Sequence, residues 1–104
     1  MSAIVTSETG DDWFTNSHSW RIILDLAMER LDPATRDEYE WYASSIGIDF
    51  STVDQAKRKE IAAWLLGVAD ELQGAKGVEF GWATERDRVH LSELSAILRR
   101  MTGQ

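Results

Sequence analysis

Residues 1–16 read MSAIVTSETGDDWFTN, and the class of the fold turns on what this stretch becomes. Ser, Thr, Gly and Asp dominate it, and its apolar residues fall in two small knots: Ala3, Ile4 and Val5, then Trp13 and Phe14. That composition predicts an N-terminal arm holding at most one short strand. The architecture then rests on the helices that follow.

Ser17 or Ser19 can cap a first helix, expected over residues 18–31. Trp20, Ile23, Leu24, Ala27, Met28 and Leu31 share one face, and Ile22 and Leu26 widen the apolar arc, as expected of a central helix. Asp32 before Pro33 restarts the chain as a second helix, expected over residues 33–46, with Gly47 as its left-handed closing residue. Ile48 and Phe50 alternate with Gly47 and Asp49 and are expected to plug the core. Ser51 and Asp54 resemble a capping box for a third helix over residues 52–73, whose stripe is Val53, Ile61, Trp64, Leu65, Val68 and Leu72. Thr84 caps a fourth helix over residues 85–101, which buries Leu91, Leu94, Ile97, Leu98 and Met101.

Between the last two helices, Gly74, Gly77 and Gly81 punctuate a segment in which Val78, Phe80 and Trp82 alternate with small or polar residues. This is the period of a short half-buried strand, with Ile4 and Val5 as its expected partner. The expectation is therefore an all-α, four-helix bundle-like single domain over residues 1–104, with at most a two-stranded ribbon near residues 3–6 and 78–82.

Function is constrained mostly by exclusion. The chain has 104 residues and a net charge of −7, which argues against a protein that holds nucleic acid by neutralising phosphates. The imbalance lies in residues 1–50, where ten acids face three bases, while residues 51–104 hold eight of each. The adjacent Lys57, Arg58 and Lys59 read as a solvated first turn rather than as part of a recognition helix. With no cysteine there is no thiolate metal site and no cysteine nucleophile. No stretch has the length of a membrane span or the pattern of a signal peptide, so a cytoplasmic address is expected. The two histidines, His18 and His90, do not form a metal motif, and no phosphate loop or nucleophile elbow is present. A non-enzyme without cofactor or metal is the expectation. The one acid–base pair at helical spacing is Asp87 and His90, where Asp87 would hold a structural imidazole; a small enzyme built on the pair would require a concave pocket around it.

Five tryptophans are a surplus for this length. Trp20, Trp64 and Trp82 fit core positions. Trp13 sits in the polar arm after Asp11 and Asp12, and Trp41 faces away from the apolar face of its helix, so the two are candidate anchors for a partner, unless the arm folds back over Trp41. Asp12, Asp37, Glu38 and Glu40 would form a charged rim around them. The leading expectation is a small acidic protein-binding module. Its physical type is that of bacterial immunity proteins, antitoxins and phage anti-defence proteins, inhibitors that block a basic nuclease or nucleic-acid-binding protein. The alternative is a structural or regulatory helical subunit, completed as a homodimer.

Overall fold

A computed structural model describes residues 2–103. Residues 2–16 hold a β-hairpin instead of an arm. Strand β1 (Ser2–Thr6) pairs antiparallel with β2 (Asp12–Asn16), placing Ile4 opposite Phe14 and Val5 opposite Trp13. Ser7 builds the connection: its amide donates to the Asp11 carbonyl at 2.8 Å, and its hydroxyl accepts from the Asp11 amide at 3.0 Å. Each apolar knot of the sequence is an alternation. Ala3, Val5 and Trp13 point into the core, while Ile4 and Phe14 point out. Because apolar residues occupy both faces, the period of two is blurred.

A third strand, β3 (Gly47–Asp49), runs parallel to β1, with Ile48 beside Val5. The sheet order is β2-β1-β3, so the first strand is central and the fold is mixed α/β, correcting the all-α expectation. Gly47 makes the parallel join at φ +121°, where a Cβ would lie 1.8 Å from the Ile4 carbonyl oxygen. Only glycine meets that approach. Ile48 and Phe50 are buried, as their alternation implied.

The helices are α1 (Ser17–Met28), α2 (Pro33–Tyr39), α3 (Gln55–Leu72), α4 (Ala75–Glu79) and α5 (Glu85–Thr102). Helix α2 stops well short of residue 46. The Tyr42 and Ala43 amides both turn back to the Tyr39 carbonyl, at 3.0 and 2.9 Å, and the Ser44 carbonyl accepts the Trp20 indole N–H at 2.7 Å. The chain has to leave the helix there to bring Ile48 beside β1. Ser51 does not open α3; it belongs to a 3-10 turn (Phe50–Thr52) capped by Asp49, and Asp54 precedes α3 without a side-chain cap.

The strand expected over residues 78–82 is absent, and β2 takes its place beside β1. Residues 75–79 coil into α4, because Gly77 packs so closely on the end of α3 that a Cβ would lie 1.9 Å from the Leu72 carbonyl oxygen. Val78 and Phe80 are exposed. Thr84 does cap α5, through a capping box with Asp87. Trp20, Ile23, Phe50, Ile61, Leu65, Leu72, Leu94 and Leu98 are fully buried and fill the core between the inner sheet face and the helices.

Candidate functional site

Helix α2 presents the first candidate surface. The Asp32 side chain accepts the Thr35 amide at 2.8 Å, and this bond holds its carboxyl below the ordinary value of 3.8. Arg36 reaches back to the last carbonyls of α1 and its turn, Met28 and Leu31, both at 3.2 Å. Tyr39 is buried with its ring edge on Trp64 at 4.9 Å; burial, aided by the Glu60 carboxylate, pushes its phenol up to about 12. Glu38 pairs with Lys57 of α3, and that contact holds the ammonium above its usual range. The short helix is thus fastened to α1 and α3, and its remaining groups face outward.

Asp37, Glu40 and Trp41 are exposed, and the Trp41 side chain is uncovered, at 89% exposure. The hairpin does not lie on it. Beside Glu40, a groove of about 290 Å³ runs between α1 and residues 40–45. Leu24, Met28 and Ala43 give it an apolar floor; Arg21 and Asp25 on its wall lie 4.0 Å apart as an ion pair, and Glu40 has no ion pair among the described residues.

The other expected site residues fall elsewhere. Trp13 is 3% exposed, stacks on His90 at 4.5 Å and donates its indole N–H to the His90 carbonyl at 2.8 Å. It is a core residue and no partner anchor. Two aromatics side by side in a strand point to opposite faces, but nothing local to residues 13 and 14 says which of them turns inward. Asp12 pairs with Thr6 at the hairpin end of the sheet, and no hydrogen bond or ion pair of the described residues joins it to α2. Glu38 is spent on Lys57. Of the expected rim, the structure keeps Asp37 and Glu40 with Trp41.

A second candidate is the cavity of about 210 Å³ where β2, α1 and α5 meet. Trp13, Trp82 and His90 supply aromatic walls, and Asn16, Ser19 and Asp87 supply polar ones. The concave pocket that a His90–Asp87 site requires is therefore present. The pair itself is not assembled: Asp87 turns back to its own cap, accepting the Thr84 amide at 3.4 Å, and the carboxylate near His90 Nδ1 is Glu93, at 3.9 Å. A proton relay needs a base oriented by a bonded partner, which this geometry does not supply.

The sequence reading missed a third feature, the outer sheet face. Ile4 and Phe14 lie opposite one another there, 38% and 55% exposed. Among the described residues, no group of three or more acids and histidines is arranged to hold a metal ion, and no helix is long and apolar enough to cross a membrane. Compared with protein-family models, with curated proteins and with solved structures, the chain gives no match.

Proposed function

We propose that this chain is a protein-binding module that captures a basic partner through Trp41 and the acidic end of α2. The observation that carries this reading is the uncovered indole, 89% exposed, next to the exposed carboxylates of Asp37 and Glu40. A tryptophan costs little conformational entropy to bury against a partner and is enriched among residues that dominate binding energy. Its acidic surroundings attract a lysine- or arginine-rich surface and speed encounter. A partner whose own surface is built to hold phosphates, a nuclease or another nucleic-acid-binding protein, has the matching charge. Occupying that surface would inhibit it by steric and electrostatic blockade.

Capture from native cell extract tests the reading, with the wild-type chain and Trp41→Ala immobilised side by side. The expected result is a basic protein held by the wild type at low salt, released at high salt and missing from the Trp41→Ala eluate. The same proteins on both columns would reject the surface.

The outer sheet face favours a second reading, a homodimer. Ile4 and Phe14 form an apolar strip on a sheet whose helices cover only the other side. Light scattering at micromolar concentration would then give twice the chain mass, and Phe14→Asp would halve it.

A further inference from the structure

The sheet has two edges, and they are finished differently. At β3 the chain closes the edge itself: the Gly47 amide donates to the Ser44 carbonyl at 3.1 Å, the Ser44 amide donates to the Gly47 carbonyl at 3.0 Å, and the strand is only three residues long. At β2 a strand of five residues lies open. Sheet edges are ordinarily guarded against further pairing by a lysine, a proline, a bulge or a covering segment. Asp12–Asn16 holds no lysine or proline, its register with β1 runs residue for residue without a bulge, and its one charge is Asp12 at the end.

The direction of the open backbone groups follows from the hairpin. The Ser7 amide donates to the Asp11 carbonyl at 2.8 Å, so hydrogen-bonded pairs recur at Val5–Trp13 and Ala3–Thr15, and Ile4–Phe14 is a non-hydrogen-bonded pair. The Ile4 amide accordingly points away from β2, to the Ile46 carbonyl at 3.0 Å. The Phe14 N–H and C=O therefore project from the free edge, where no backbone group of the described residues meets them.

The same edge on a second copy fits these groups. Laid antiparallel about a two-fold axis at Phe14, two β2 strands set Phe14 against Phe14, Trp13 against Thr15 and Asp12 against Asn16 of the other copy. No like charges meet, whereas an axis at Asp12 would oppose two carboxylates. Asn16 is the N-cap of α1, whose first turn holds no acid, so each Asp12 carboxylate arrives at the positive end of the other copy's α1. On the outer face, the exposed Ile4–Phe14 strip continues into its own image.

We propose that β2 pairs antiparallel with β2 of a second copy about Phe14, joining two sheets into one. This rests on the homodimer reading above and places its contact at the strand edge instead of the open face.

Light scattering and amide exchange of the unmodified chain, from micromolar to millimolar concentration, test the pairing together with two single-cysteine variants, which are clean probes because the chain has no cysteine. In dilute solution the Phe14 amide should exchange near its intrinsic rate, while the Trp13 amide, bonded within the hairpin, is already protected. As concentration rises the mass should double and Phe14 protection should grow with it, by about tenfold or more. Under mild oxidation Phe14→Cys should form a disulfide-linked dimer, since residues paired on the axis lie about 5.5 Å apart. Asp12→Cys should not, because its two copies lie roughly 14 Å apart along the strands. A chain that stays monomeric at millimolar concentration overturns this proposal and the homodimer reading alike. A dimer whose Phe14 amide still exchanges near its intrinsic rate, or in which Asp12→Cys cross-links as readily as Phe14→Cys, overturns the edge pairing alone and leaves a homodimer built on the outer face.

Discussion

Three indole N–H groups reach backbone carbonyls of other elements: Trp13 to His90 at 2.8 Å, Trp20 to Ser44 at 2.7 Å and Trp64 to Ala27 at 2.6 Å. Each ring thereby joins segments far apart in the chain, and the polar tip of a buried aromatic is satisfied. Trp41 has no such partner and stands in water. The contrast predicts that Trp13→Ala costs ~3–5 kcal/mol of stability in chemical denaturation. Trp41→Ala should stay within ~0.5 kcal/mol of the wild type, because nothing of the fold rests on that ring. Equal losses at the two sites would contradict these placements. Gly47→Ala should be more costly than any surface change, above ~3 kcal/mol, since the new methyl would collide with the Ile4 carbonyl at a backbone angle that alanine avoids. The outward direction of Trp41 was legible from the helical spacing expected over residues 33–46, in which Tyr39 and Tyr42 mark the inner face, although α2 itself ends at Tyr39. The inward direction of Trp13 was not, because it depends on a strand pairing that the polar composition around it concealed.

Among the elements, α2 is the short one on which the proposed surface depends, and Asp32 is its first fastening. The folded chain holds this carboxyl below 3.8 through the Thr35 amide, so the contribution is fully present above that pH and is lost as pH falls through the lowered value. The protection of the Thr35 and Arg36 amides, taken relative to their intrinsic exchange rates at each pH, should therefore fall in acid before that of the α3 core does. Asp32→Ala should remove that step and lower Tm by a few degrees at neutral pH. If Thr35 stays protected until global unfolding, the cap does not govern α2. Helices α1, α3 and α5 were readable because each repeats its apolar residues over several turns. Strand β3 was not, since its three residues pair with β1, far earlier in the sequence, and leave no local period. The run from Val78 to Trp82 shows the opposite error: a pattern of alternation was present, but the tight seat of Gly77 on Leu72 imposed a helical turn.

At the scale of the molecule, the acidic half of the chain is less acidic than its count suggests. Glu8 pairs with Arg58, Asp11 with Arg100 and Glu38 with Lys57, so bases from the second half of the sequence fold back onto acids of the first. Composition along a chain cannot reveal such pairing, which is why Glu38 looked like part of the rim and Lys57 like a solvated turn. What remains outward near Trp41 is Asp37 and Glu40, and charge reversal belongs at these two positions. The direct measurement is the association and dissociation kinetics of the captured basic partner with wild type, Trp41→Ala and Asp37→Lys/Glu40→Lys across a range of salt. The account predicts an affinity loss of about thirtyfold for Trp41→Ala, mostly through faster dissociation. The double charge reversal should slow association and flatten its salt dependence. Wild-type kinetics in both variants would contradict it.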